Sequence, residues 1–257
     1  MLSRRSLVIA RSGLKLVLTD PAPMITTIVM PLLLAAFLTP NTKATLNVQG
    51  FSGASGAEQT IPGMAVLFAF FGITMIGTLF FKEHAWGTWD RLRASSASTM
   101  DLLVGKLTPL YFCYLLQMVV LFALGNLLFD YSPNGSVLAL AAILVVLVAV
   151  LVFFGAMLVA VFNTMDQALA IGSVSGMVMA GLGGALAPAE TLPGWTHGIA
   201  KCMPPYWALD GLRKVTLKHG TLSDVTLNLA ILAGFAVLFA AVAVFRFNAS
   251  EAKVGTS

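Results

Sequence analysis

Charge is what this chain of 257 residues has least of: Asp, Glu, Lys and Arg together make up 10%, against 58% apolar residues, where a soluble domain carries about 25% charged. That deficit, with a mean hydropathy of +0.89, excludes an ordinary soluble domain and makes the useful unit the apolar run of roughly 20 residues that spans a bilayer. Histidine and cysteine are scarce as well. The three histidines, His84, His197 and His219, all lie between apolar runs, which removes the usual intramembrane proton relay, metal cluster and Ser-His dyad. Cys113 lies inside an apolar run and Cys202 in a polar connection, so no disulfide between them is expected and neither reports a redox compartment. The chain also lacks a G-x-x-x-x-G-K-[ST] phosphate loop, so it is not expected to handle ATP itself. The net charge of +4 comes from short scattered segments without a single basic stripe. Anionic lipid and a cytoplasmic partner therefore fit better than nucleic acid.

What is present are six charge-free runs: 24–39, 61–81, 107–129, 137–162, 167–188 and 225–245. They lack the alternation of barrel strands, and in lipid only helices or closed barrels satisfy the backbone, so each is a candidate transmembrane helix and the fold class is all-α. The first run is short for a hydrocarbon core of roughly 30 Å and contains Pro31, so a kink or a flanking interfacial helix is expected. Lys and Arg near the run ends divide ten against five in favour of an N-in, C-in topology, since these residues prefer the cytoplasmic side. Four of the five exceptions fall in the segment 189–224.

Three connections have local character. Residues 1–20 set Leu2, Leu7, Ile9, Leu14, Leu16 and Leu18 among Arg4, Arg5, Arg11 and Lys15, the composition of an amphipathic helix on the inner leaflet; a frayed basic tail is the alternative. A positive start before an apolar run also fits a signal peptide, but no small-residue cleavage pattern follows Leu38. "NTKATLNVQGFSGASGAEQT", 41–60, reads as an external loop without chemistry. In 189–224, Trp195, Ile199 and Met203 recur at i, i+4, i+8, and Tyr206, Leu209, Leu212 and Leu217 follow the Pro204-Pro205 break, with Asp210 able to pair Arg213 or Lys214. Two short amphipathic helices dipping into the outer face fit this pattern, as does an external cap.

"IGSVSG", 171–176, has Val174 where a G-x-S-x-G nucleophile would need serine. Ser173 and Ser175 are expected to pack, and Gly172 and Gly176 form a G-x-x-x-G pair that lets a helix approach its neighbour closely. The most polar stretch, "FFKEHAWGTWDRLRASSASTM", 80–100, gathers Lys82, Glu83, Asp90, Arg91 and Arg93 around Trp86 and Trp89. Glu83 to Arg93 can form about three helical turns, and after the "ASSAS" break Ser98 and Asp101 stand in capping-box spacing before Leu102 and Leu103.

The order Glu83, three residues, Gly87-Thr88, Leu92, a small polar stretch and later Gly105-Lys106 resembles the cytoplasmic signature of ABC-2 type transporter permeases. The basic N-terminus, Pro31 and the "LPGW...PPYWALDGLR" segment extend the resemblance over nearly the whole chain. Two positions depart from the family pattern: Ser95 and Ser96 stand where a proline is expected, and Asp20-Pro21 where Arg-x-Pro is common. The resemblance implies one transmembrane domain over 1–257 with 82–106 as the coupling segment, docking onto a separate ATPase that would bind ATP and Mg2+. Glu83, Gly87 and Thr88, flanked by Trp86, Arg91 and Leu92, would carry the coupling. It further implies a permease homodimer in the bacterial inner membrane, exporting an apolar or amphiphilic compound, with short re-entrant helices around Trp195, Pro204, Tyr206, Asp210 and Arg213. A stand-alone channel or a membrane scaffold without transport is the alternative.

Overall fold

The computed structural model of the chain describes residues 4–19, 22–73, 75–77, 80–81, 98–188 and 191–247. Among these residues the regular structure is helical: α1 (Arg4–Thr19), α2 (Ala22–Val48), α3 (Ala57–Phe71), α4 (Thr99–Phe129), α5 (Val137–Val161), α6 (Met165–Leu182), α7 (Gly194–Ala200), α8 (Pro204–Leu217) and α9 (Thr226–Arg246). Six helices are long and apolar enough to cross a membrane: α2, α3 with its continuation to Gly77, α4, α5, α6, and α9 with the 3-10 turn before it. The chain is an all-α integral membrane protein.

Local chemistry sets several boundaries. Ser98 caps α4, Ser136 caps α5 by accepting from the Ala139 N–H at 3.3 Å, and Thr164 caps α6 by accepting from the Gln167 N–H at 3.4 Å. Pro204 and Pro205 open α8, where the missing N–H costs nothing. The Pro204-Pro205 break thus lies inside the first turn of α8, and Met203 is its N-cap.

Two spans are longer than the charge-free runs. The first run, 24–39, is the middle of α2, which has 27 residues, continues through Pro31 and Pro40, and reaches about 40 Å at 1.5 Å per residue. The expected external loop 41–60 is therefore mostly wrong: Asn41–Val48 belongs to α2 and Ala57–Thr60 to α3, leaving 49–56 as the connection. The Thr39, Thr42 and Thr45 hydroxyls donate to carbonyls four residues back, at 2.6, 3.0 and 3.1 Å, so these threonines sit in helix with their hydroxyls paired. Helix α4 begins eight residues before the run at 107 and carries Asp101 and Lys106.

Helix α3 is central. The most apolar window of its span is 82% buried, against 50% for α5 and only 11% for α2, so α3 is enclosed while α2 faces outward. It packs against α2, α4, α6 and α8, while α5 and α9 form the most extensive helix pair. Gly63 and Gly176 permit close backbone approaches at α3: a Cβ on Gly63 would lie 2.1 Å from the Ala185 carbonyl oxygen, and one on Gly176 would lie 2.7 Å from that of Phe70.

Candidate functional site

The coupling residues expected from sequence, Glu83, Trp86, Gly87, Thr88, Arg91 and Leu92, lie outside the described residues. Both anchors of that segment are described. On the entering side Phe80 and Phe81 are buried, and the Phe80 ring meets Phe247 edge-on at 6.0 Å. On the leaving side the capping box is complete. Ser98 Oγ accepts from the Asp101 N–H at 3.1 Å, while Asp101 Oδ2 accepts from the Ser98 N–H at 3.1 Å and from its hydroxyl at 2.8 Å.

The second oxygen of Asp101 reaches across to α1. Ser6 Oγ donates to Asp101 Oδ1 at 2.8 Å, joining residues 95 apart in sequence. Below this bond Gly105 takes Ile9 against its backbone, where a Cβ added to the glycine would meet Ile9 carbons at 2.8 Å, and Gly13 faces Pro109. The buried face of α1 is thus Ser6, Ile9 and Gly13, while Leu7, Val8, Arg11, Leu14 and Lys15 are exposed. Lys106 is buried at 1% exposure with its ammonium 4.6 Å from the Phe80 ring centroid, a cation–π distance. The absence of ionisable groups from the six runs therefore does not extend to the helices themselves: Lys106 is buried in α4 and Glu58 in α3.

Midway along the bundle α3 breaks. Gly72 closes the helix through its N–H to the Phe68 carbonyl, the next bonds are of the tighter three-residue kind, and 75–77 is helical again. The Tyr114 hydroxyl of α4 donates to the Gly72 carbonyl, and Gln117 Nε2, one turn further, donates to the Thr27 carbonyl of α2 at 3.2 Å. The Met75 N–H also donates to that Gly72 carbonyl, at 2.9 Å, so Tyr114 is its second donor. One face of α4 thereby braces the break and ties α2 beside it.

At the opposite end α8 is held by polar bonds. Asp210 pairs with Lys214 at 2.8 Å, and not with Arg213, which donates to Gln49 Oε1 at 3.4 Å. Asn228 of α9 is fully buried and completes the cluster. Its amide donates to Asp210 Oδ2 at 2.9 Å and to the Trp207 carbonyl at 2.8 Å, and its oxygen accepts from Lys214 Nζ at 3.0 Å. The stretch 41–60, expected to carry no chemistry, supplies the other half. The Glu58 carboxylate accepts from the Ser55 and Gly56 N–H groups at 3.2 and 3.0 Å and from the Ser55 hydroxyl, capping α3. The Glu58 carbonyl accepts from Thr216 of α8 at 3.3 Å, and Gln59 Nε2 donates to the Gly184 carbonyl at 3.2 Å. Burial, followed by the nearby Glu58 carboxylate, pushes the Tyr131 phenol above its ordinary range.

The remaining site residues expected from sequence are spread over this end and α6. Trp195 and Ile199 share the exposed side of α7, Pro204 is buried at the start of α8, and Tyr206 packs edge-on against Trp207. Gly172 and Gly176 are both buried, the first facing Leu158 of α5 and the second Phe70 of α3. The Ser173 and Ser175 hydroxyls donate to carbonyls four residues back in their own helix. Among the described residues no cluster of three or more His, Cys, Asp or Glu could hold a metal ion. Sequence reasoning passed over Glu58, Gln59, Tyr114 and Asn228, and weighed Gln117 only as polar lining for a channel; the only signal each offered was a polar residue in or beside an apolar run.

Comparison with known proteins follows the same outline. Residues 38–245 match the family model described as ABC-2 family transporter protein. The linearmycin resistance permease protein LnrN of Bacillus subtilis is 25% identical over 187 residues, 72% of this chain and 48% of that protein. The probable multidrug ABC transporter permease YbhR of Escherichia coli is 25% identical over 166 residues, 64% of this chain and 45% of that protein. The chain spans about half the length of these curated relatives.

Proposed function

The chain belongs to the ABC-2 family of transporter proteins, and from that premise we propose that it is the permease subunit of an ATP-driven exporter of hydrophobic or amphiphilic compounds, working with a separate cytoplasmic ATPase. The observation that carries this reading is the position of α3. The most enclosed of the membrane helices leads into the charged segment 82–97, and the chain returns through the Ser98–Asp101 cap into α4. A push on that segment would act on α3 from one side and on the α1–α4 pair from the other.

The break at Gly72 gives such a push a place to bend. Its carbonyl is held by a side chain of α4, so a tilt of the lower part of the span needs no loss of the outer helix. The outer half of α3 is fixed by Glu58 and Gln59 to α8 and to the turn after α6, so displacement would reach the outer helices as one body. Orientation with both ends in the cytoplasm is part of the proposal, as are pairing of two permeases with two ATPases and residence in the bacterial inner membrane. The outward apolar faces of α2 (Val29, Leu33, Phe37) and α6 (Ile171, Val174, Met177) would be available to lipid, cargo or a second permease. An apolar cargo is supported by those faces and by the names of the relatives, which refer to linearmycin resistance and multidrug transport.

The test is reconstitution with the cognate ATPase in liposomes. Glu83→Ala and Gly87→Leu should each reduce ATP-coupled transport at least tenfold while the permease remains folded. Full coupled transport in both variants would remove these residues from the coupling role, and failure of any ATPase to bind the chain would remove the permease reading itself.

A further inference from the structure

A lateral cleft between α4 and α5 lies apart from the polar ties described above. Val104, Leu107, Thr108 and Tyr111 of α4 and Val152 and Phe153 of α5 line it, around a volume of about 230 Å³. We propose that this cleft is a binding site for one acyl chain of an anionic bilayer phospholipid, with the headgroup held by the cations of α1.

The chemistry of the lining selects hydrocarbon. Only two hydroxyls belong to it, and both are already committed: Thr108 donates to the Val104 carbonyl at 2.7 Å and Tyr111 to the Val145 carbonyl at 3.0 Å. A polar ligand would lose its water without gaining a partner there. Size excludes a second helix, because a helix with its side chains is roughly 10–12 Å across, whereas a cleft of this volume admits a slender chain. Val104 and the neighbouring Phe112 and Leu116 of α4 are exposed, so the cleft is continuous with a lipid-facing surface.

Charge selects the headgroup. Helix α1 packs onto α4 at Gly105 and Pro109, residues adjacent to Val104 and Thr108 in the lining. Arg11 and Lys15, one turn apart, are on its exposed side. Acidic residues are missing from α1 altogether. A basic helix packed beside the α4 wall of an apolar cleft complements a lipid phosphate, each cation near a membrane surface being worth about 1 kcal/mol of attraction.

The experiment uses the full chain in nanodiscs containing a phosphatidylglycerol with a photoactivatable group in its acyl chain, with adducts mapped by mass spectrometry. Labelling of Leu107, Tyr111 and Phe153 should be saturable and competed by unlabelled phosphatidylglycerol, while labelling of the exposed Leu238 on α9 should rise in proportion to lipid. Val104→Phe, which fills the cleft, should reduce the saturable component at least fivefold, and Arg11→Gln with Lys15→Gln should reduce it several-fold without altering the fold of the bundle. Labelling without a saturable component, or equal competition by phosphatidylcholine, would each overturn the proposal.

Discussion

The two glycines of the G-x-x-x-G pair should respond differently to the same added methyl group. At Gly172 a Cβ would meet Leu158 Cδ1 at 3.0 Å, the far end of a side chain that can rotate. At Gly176 it would meet the Phe70 carbonyl oxygen at 2.7 Å and the carbonyl carbon at 3.1 Å, both backbone of the central helix α3. Relief at the second position requires α6 and α3 to separate by several tenths of an ångström along their contact, loosening the neighbouring side chains too. Overpacking of a close-packed interior costs about 1–3 kcal/mol, and backbone contact places Gly176→Ala toward the upper end. Gly172→Ala combines a small steric cost with a helix-propensity gain of roughly 1 kcal/mol, so it should fall within about 1 kcal/mol of the parent. Reversible unfolding in mixed detergent micelles, followed by far-ultraviolet circular dichroism, measures both. A difference of about 2 kcal/mol corresponds to roughly a 30-fold change in the folded-to-unfolded ratio. Equal effects of the two substitutions, or a larger loss at Gly172, would refute the assignment of Gly176 as the tight contact.

Tyr114→Phe removes the side-chain donor to the Gly72 carbonyl and leaves the Met75 N–H on it, so it should destabilise the protein by about 0.5–1.5 kcal/mol, with faster amide exchange concentrated at residues 72–77; uniform exchange along the span would contradict a local role. Asn228→Leu leaves Asp210 and Lys214 without their buried bridge and should cost about 1–3 kcal/mol, detected as earlier thermal unfolding and easier proteolysis between α7 and α9. Asp101→Ala removes the acceptor shared by Ser98 and Ser6. The Ser98 cap on the residue-101 N–H remains, and loss of the bonds to the carboxylate should cost about 1–2 kcal/mol, while spin labels on α1 and α4 should report a broadened distance distribution. For the topology, a cysteine at the exposed Lys218, in a Cys202→Ser background, should react with an impermeant maleimide added outside intact cells; labelling only after lysis would reverse the proposed orientation.

The parts of this fold legible in the sequence are those governed by neighbours along the chain. Composition marks the runs 137–162 and 225–245 because a helix in lipid must be apolar over its whole length, and the observed helices end within a few residues of them. The cap at Ser98 is legible for the same reason, since its partner is three residues away. Polarity misleads at Asn41–Val48, where the helix continues past the end of the apolar run, whereas at Thr99–Lys106 the Ser98 cap announces a helix that hydropathy alone would start at 107. In the first stretch the threonine hydroxyls turn back onto their own helix, and in the second Asp101 and Lys106 find partners at the bundle's end. Register between helices was the part beyond reach. Gln59 meets Gly184 across 125 positions and Thr216 meets Glu58 across 158, distances at which no local pattern survives. Between helices in lipid the hydrophobic effect supplies little preference, because the tails are as apolar as the side chains. Apolar packing alone would let α3 slide or rotate among similar arrangements. Short-reach hydrogen bonds and glycine contacts remove that freedom, since displacement by one turn, about 5.4 Å, breaks each of them. The polar residues that a hydropathy reading passes over are thus the ones that give the central helix a single register.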